Sequence, residues 1–566
     1  MNFNLREVPF SRFGSFLAFS ILKNTDTNKD ELFIRNINGD TYSKDKVFKI
    51  DLIKDGKILD FQVTASPTKL ALYCDSGFVE IIIVNETLIR FRGKGVGIKL
   101  TVASGSYDYL LKESEYQYKL NYASHNTWFA IKCINGTMTA IAPWAEIKCP
   151  FIEMFFNLNK SNIVEGFIEQ FQCTYKEPLN LPSFDDACRE VENEFYSWLN
   201  VSPSPAKEEF KYGAKLASYI TWSSVVPPKG YLTRNAMYMS KNWMDSIWSW
   251  DYCFNAMALA KSNPELCFDQ FMIFIDNQQE CGTYADLINP STCLWSFCKP
   301  PIQGWALKWI MERSDFLDNE KLTILYNSLC NLTKWWFKNR DLNGNGIPEY
   351  NHGNDCGWDN STIFHKCIPV ESPDLCTFLV LQMELLSDIA EKLKKPLEAS
   401  KWLEWSGLLL DRLITYFWKG DRFTSYLTNG EESCVGDSLI LFMPILLGKR
   451  LPEEIRNILI SGLKEKNRFL TKNGLATEST SSPYYKCDGY WRGPIWAPST
   501  MLLIDGLMQC GEEEFASDLA NRFCSMANVA GMAENFDAIT GEALRDKSFT
   551  WTSSVFLILA NEYCKN

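Results

Sequence analysis

Two short segments in the second half of the chain set carboxylates beside aromatic rings: Gly357-Trp358-Asp359-Asn360-Ser361 and Glu534-Asn535-Phe536-Asp537. Between them lies Tyr490-Trp491-Arg492-Gly493-Pro494-Ile495-Trp496. Cleaving a glycosidic bond needs such parts. One carboxylic acid protonates the leaving oxygen, a second carboxylate activates water on the opposite face of the ring, and aromatic walls with a guanidinium hold the hydroxyls. Asp359 follows Trp358, and apolar neighbours favour a protonated carboxyl, which suits a general acid. Asp355 and Asp374 are nearby alternatives. The second segment continues through Asp537 to Glu542, and composition alone does not choose a base among its acids.

Further candidates flank these segments. Trp248-Ser249-Trp250-Asp251 offers two rings and a carboxylate able to accept a pair of vicinal hydroxyls, or simply core packing with an Asp at a helix N-terminus. Lys299-Pro300-Pro301-Ile302-Gln303 sets Gln303 where a loop would deliver it to a cavity. Trp496 and Trp551, the latter at the start of the last helix, extend the candidate aromatic wall. Asp341-Leu342-Asn343-Gly344-Asn345-Gly346-Ile347-Pro348-Glu349 follows the first half of a calcium loop, with oxygens from Asp341, Asn343, Asn345, the Ile347 backbone and Glu349. The position of the usual bidentate Glu is His352, which excludes a full helix-loop-helix sensor. A structural Ca²⁺ closed by a remote residue is expected, with an ion-free Asx- and Gly-rich turn as the alternative. No catalytic cofactor is expected.

The elements that must carry these residues come from the wider pattern. The 566 residues suit two or three domains. Residues 1–180 show short alternating or apolar runs, such as Val79-Glu80-Ile81-Ile82-Ile83-Val84, separated by Asn-Gly, Asp-Gly and Ser-Gly turns, which suggests an antiparallel sandwich without evident chemistry. Residues 181–205 read as a proline-flanked linker with a helix. From 206 to 566 the apolar spacing turns helical, over Ile247–Ala260, Gly304–Ser314, Asn319–Asn339, Leu375–Lys394, Ala399–Trp418, Glu453–Glu465 and Pro498–Cys510. Such lengths imply on the order of six helix pairs.

Composition narrows the chemistry. A net charge of −12 disfavours nucleic acid or an anionic membrane as partner. The N-terminal stretch lacks the features of a signal peptide, and no window reaches membrane-span length. The 19 Cys are scattered without a C-x-x-C pair, as expected for reduced thiols of a cytoplasmic protein. Three His leave little for a multi-His metal centre or a Ser-His-Asp triad. The expected partner is a small carbohydrate, and homo-oligomerisation stays open.

Taken together, Trp248-Ser249-Trp250-Asp251, Pro300-Pro301-Ile302-Gln303, Gly357-Trp358-Asp359-Asn360-Ser361, Asp374-Leu375, Tyr490–Trp496 and Glu534–Asp537 with Thr540-Gly541-Glu542 resemble the clan of inverting α-glycosidases containing trehalases, family 63 α-glucosidases and mannosylglycerate hydrolases. The resemblance implies a β-sandwich followed by an (α/α)6 barrel, Asp359 as general acid and Glu534 as general base, with carboxyls roughly 6.5–9.5 Å apart to admit water. It also implies that Trp248, Trp250, Asp251, Gln303, Gly357, Tyr490 and Trp491 line the subsite for the non-reducing sugar. The 341–349 loop is similar to a calcium site in some bacterial family 63 enzymes. Asn351 to Cys356 lacks the Glu-Ser that trehalases carry before Gly-Trp-Asp, so the mannosylglycerate-hydrolase-like branch fits better. A phosphorylase on a similar barrel and a non-catalytic carbohydrate-binding protein are the rival readings.

Overall fold

In the computed structural model, residues 1–24, 28–39, 45–178 and 180–564 are described. The chain divides into one unit of residues 1–200, 222–227 and 240–245, and a second of residues 201–221, 228–239 and 246–566.

The first unit is an antiparallel sandwich. One sheet of eight strands runs from Phe10–Ser11 through Leu17–Lys23, Asp30–Asn36, Lys46–Lys54, Gly97–Val102 and Ile152–Asn157 to Thr137–Ile141, with Lys57–Leu59 paired to its fourth strand. The other orders Tyr109–Lys112, Gln117–Tyr122, Thr127–Asn135, Ile163–Phe171, Leu88–Lys94, Gly77–Ile83, Leu70–Cys74 and Gln62–Ala65. Side chains alternate across each strand, so Thr127, Phe129, Ile131 and Cys133 of one strand share a buried face. The two inner faces interlock: Phe48 meets Phe129 at 5.3 Å and Phe91 meets Phe156 at 4.9 Å between ring centroids. Each such fully buried side chain contributes about 1.5–3 kcal/mol of transfer free energy. Helix α1 (Phe184–Val201) completes this unit, burying Phe184, Ala187, Val191 and Phe195.

The second unit is helical. Its helices are α2 (Lys211–Ser223), α3 (Asp251–Leu259), α4 (Pro264–Asp276), α5 (Gln303–Met311), α6 (Asn319–Asn339), α7 (Pro373–Lys392), α8 (Pro396–Phe417), α9 (Glu453–Lys464), α10 (Ala497–Gln509), α11 (Glu513–Ala530) and α12 (Thr550–Ile558). Helices α3, α5, α7, the 3-10 segment Leu439–Arg450, α10 and α12 touch in succession, and α12 returns to α3. That closed inner ring, with α4, α6, α8, α9 and α11 packed outside it, is the expected (α/α)6 barrel. Every residue of α3 and α12 is buried, as an inner helix requires, whereas α9 buries only one face through Ile455, Leu459, Ile460 and Leu463. The outer α2 approaches α12 so closely that a Cβ on Gly213 would stand 2.6 Å from Phe556.

Three of the small sheets in the loops between helices are antiparallel and three-stranded: Ile247–Trp248 with Leu287–Ile288 and Cys293–Leu294, Glu349–Tyr350 with Val370–Glu371 and Tyr426–Leu427, and Ile495–Trp496 with Asn535–Phe536 and Ala543–Leu544. Every chemically interesting segment named above enters or leaves one of them, or begins the helix that follows.

Candidate active site

The loop bearing Asp359 is bent by a short 3-10 turn, Gly353–Cys356, that ends at Gly357 with φ 73°. A Cβ there would stand 2.6 Å from Trp250 Cζ2, so glycine lets the backbone lie against that indole. Asn360 then ties the loop to the aromatic heptamer: its Oδ1 accepts from Trp491 N at 2.9 Å and its Nδ2 donates to the Gly489 carbonyl at 3.0 Å. Glu534 is set by the third small sheet, where Asn535 pairs with Trp496. Its own N–H donates to the Asp546 carbonyl at 2.7 Å, and its carbonyl accepts from Trp551 Nε1 at 3.3 Å.

These contacts gather the predicted rings into one cluster. Trp358 stacks on Trp491 at 4.7 Å, Trp491 on Trp496 at 3.9 Å, and Trp551 stands edge-on to both Trp250 and Trp496. Trp250, Trp358, Trp491, Trp496 and Trp551 are all buried, so they stiffen the wall from behind; Trp248 and Tyr490 keep partly exposed faces. Asp251, at the first position of α3, and Gln303, at the first position of α5, are buried too. Gln303 donates to the Ser249 carbonyl, but its Oε1 and the Oδ2 of Asp251 have no protein partner. Arg492 Nε is also buried without one. Buried acceptors and donors left open are costly unless a ligand takes them. Asp374 differs: Ser372 and Tyr350 occupy both its carboxylate oxygens, so it braces the start of α7 instead of presenting an open group.

Asp359 opens into a cavity of about 320 Å³ lined also by His352, Asn360, Ser361, Phe364, His365 and Arg492. Burial raises Asp359, opposed by the Lys299 charge and reinforced by that of Asp286. Burial pushes Glu534 up to about 8, with Asp546 adding to the rise, Arg545 opposing it, and Asp359 adding its own negative field. Arg545, which the sequence did not single out, stacks over Tyr490 at 4.9 Å and donates to Asn535 at 2.9 Å. Lys299, Asp286 and Asn360 were likewise missed as functional candidates, although Lys299 and Asn360 stand inside segments already marked by their Pro-Pro and Trp-Asp neighbours.

The 341–349 loop brings Glu349 directly opposite Glu371 across two strands, both fully buried. Burial, Glu371 and Asp341 together push Glu349 up to about 7. Asp341 Oδ1 is buried without a partner, while Asn343 and Asn345 donate to Glu371 at 2.7 and 2.8 Å. Like charges facing one another across a ladder repel, and a hard cation would relieve them, so the donor chemistry fits Ca²⁺. Among the described residues no three acidic, His or Cys side chains converge tightly enough to chelate an ion unaided. An ion here would therefore also draw on the amide oxygens of Asn343 and Asn345 and the Ile347 carbonyl.

A family model for the mannosylglycerate hydrolase MGH1-like glycoside hydrolase domain matches residues 244–552. A mannosylglycerate hydrolase of Thermus thermophilus is 25% identical over 165 residues, covering 29% of this chain and 38% of that protein. A probable mannosyl-oligosaccharide glucosidase of Schizosaccharomyces pombe is 24% identical over 215 residues, 34% of this chain and 26% of that protein. The chain thus spans well under two thirds of the length of these relatives. Among solved structures, a GH63 mannosylglycerate hydrolase from Thermus thermophilus in complex with glucose superposes with TM-score 0.53 at 18% identity, over 61% of this chain and 99% of that one. A bacterial glucoamylase complexed with acarbose gives TM-score 0.66 at 11% identity over 99% of this chain and 94% of that one. At these identities the likeness speaks to fold.

Proposed function

The chain belongs to the MGH1-like glycoside hydrolase family, and from that footing we propose that it is an inverting glycosidase cleaving an α-glucoside or α-mannoside of a small oligosaccharide or glycosyl-glycerate. The observation that carries the reading is Asp359 at the wall of an open cavity, its charge felt by Glu534 and its loop backed by the indole cluster. Asp359 donates its proton to the glycosidic oxygen as that bond breaks, while Glu534 takes a proton from water attacking the anomeric carbon from the other side. Arg545 favours the ionised base. Asp251 Oδ2 and Gln303 Oε1, open and buried, would accept hydroxyls of the non-reducing sugar. On the leaving-group side, Arg492, His352 and His365 around a cavity of about 320 Å³ suit a short acidic group such as glycerate.

The Ca²⁺ of the 341–349 loop would be structural, supplying charge that holds Glu349 and Glu371 together, and no chemical step uses it. Free thiols at every described cysteine support a reducing, cytoplasmic setting. Asp359→Asn and Glu534→Gln are each expected to lower kcat by about 10³-fold or more with the fold intact. Proton NMR of the first sugar released should show the inverted anomer. Near-wild-type turnover in either variant, or a retained anomeric configuration, overturns the assignment. Supplying mannosylglycerate, glucosylglycerate and α-linked disaccharides in parallel identifies the substrate.

A further inference from the structure

Lys299 has no part in the chemistry above, yet it is buried to 4% side-chain exposure beside an equally buried Asp286. Its Nζ stands 2.9 Å from Asp286 Oδ1 and donates to both the carbonyl and the Oδ1 of Asn354 at 2.7 Å. Next to it, Cys298 N donates to Asp355 Oδ1 at 3.1 Å. Asn354 and Asp355 form the 3-10 turn whose exit at Gly357 aims Asp359 into its cavity, so residues 298–299 grip the base of the acid-bearing loop. Asp286 is itself fixed by the first small sheet, through hydrogen bonds from its N–H to Leu294 and from Ser249 N to its carbonyl. Burying an ammonium ion costs several kcal/mol unless its surroundings use the charge.

We propose that Lys299, tempered by Asp286, is a positioning residue that sets how readily Asp359 gives up its proton. This rests on Asp359 being the proton donor. As the glycosidic bond breaks, its electron pair stays on the leaving oxygen and the Asp359 proton moves to that oxygen, leaving a carboxylate on the cavity wall. Asp286 places negative charge beside it, Asp251, Glu534, Tyr490 and Cys356 feel the Asp359 charge in turn, and Lys299 is the cationic side. Of the charges acting on Asp359, that of Lys299 bears most strongly. Lys299 keeps its protons throughout and stabilises the new carboxylate. Asp286 offsets part of its field, so Asp359 holds its proton until the leaving oxygen pulls on it.

The test compares wild type with Lys299→Met, Lys299→Arg and Asp286→Asn, using a glycosyl-glycerate and the matching glycosyl fluoride. Fluoride departs without protonation, so the limb of the kcat/KM pH profile seen with the glycerate, and absent when Asp359→Asn acts on the fluoride, belongs to Asp359. Lys299→Met is expected to move that limb up by about one pH unit and Asp286→Asn to move it down, because removing a cation or an anion has opposite signs. Lys299→Met should also lose at least about tenfold more on the glycerate than on the fluoride, with Lys299→Arg restoring much of the difference. Limbs that stay put or move together, or equal losses on both substrates, overturn the proposal. If circular dichroism shows Lys299→Met unfolded, the downward shift of Asp286→Asn decides alone. Undiminished turnover of the glycerate by Asp359→Asn instead refutes the acid assignment itself.

Discussion

Replacing Glu534 by Gln should make the protein more stable while abolishing its activity. The side chain is 4% exposed, and burial with Asp546 pushes its carboxyl from an ordinary 4.5 to about 8. At about 1.4 kcal/mol per pH unit, that rise corresponds to about 5 kcal/mol of destabilisation once the group is ionised. The value is an upper bound, since water entering the cavity screens the charge. The sign follows from linkage. Below pH 4.5 folded and unfolded chains both carry the neutral acid, and stability is highest. As pH rises from 4.5 through about 8 the wild type loses that increment, whereas a neutral amide of the same shape never does. With an unfolding entropy of about 2.1 cal/mol/K per residue over roughly 350 residues, the full difference is about 7 °C in Tm. Differential scanning calorimetry at pH 4, 6.5 and 8.5 should therefore show a gain that is nil, then partial, then largest. A Glu534→Gln variant melting at or below wild type at pH 8.5, or gaining equally at pH 4, refutes the reasoning.

Two further substitutions probe the supports of the site. Gly357→Ala forces a side chain into a φ of 73° and within 2.6 Å of Trp250, so we expect about 1–3 kcal/mol lost in urea unfolding and kcat lowered about 10²-fold as the acid loop shifts; an unchanged kcat would mean the loop is not aimed by this contact. Chelation with EGTA should lower Tm, and Ca²⁺ at about 100 times its Kd should restore about 2.7 kcal/mol. Glu371→Gln should remove that calcium response, and a response that survives it would locate the ion elsewhere.

Much of this fold was readable in the sequence because outer helices declare themselves. The apolar spacing places helices over Asn319–Asn339 and Glu453–Glu465 within a residue of α6 and α9, since each buries one face and wets the other. The inner ring is harder to read. Leu439–Arg450, with Pro444 inside it and Gly448 out of helical geometry, is apolar without a break from Leu439 to Leu447 and shows no stripe. The helix expected from Ile247 starts instead at Asp251, because Ile247 and Trp248 pair with Ile288 and Leu287 in a sheet that no local pattern announces. At the site, Asp359 and Glu534 stood out beside their tryptophans, whereas the link from Lys299 to Asp286 and Asn354 joins distant segments and exists only once the barrel has closed. Asp374 shows the complementary limit: an Asp at a helix start looks the same in sequence whether or not Ser372 and Tyr350 hydrogen-bond to its oxygens.

The three small sheets between the barrel helices have one more consequence. Asp286 borders the first, Asp359 lies in the connection within the second and Glu534 abuts the third, so these candidate groups travel with short hairpins, while the helices beneath mainly pack. Exchanging such a hairpin between two barrels of this kind would move a candidate group and its immediate supports together, as a cassette. Because those hairpins also hold Glu534, Gly357 and the 341–349 loop, such an exchange would carry part of the stability along with the chemistry.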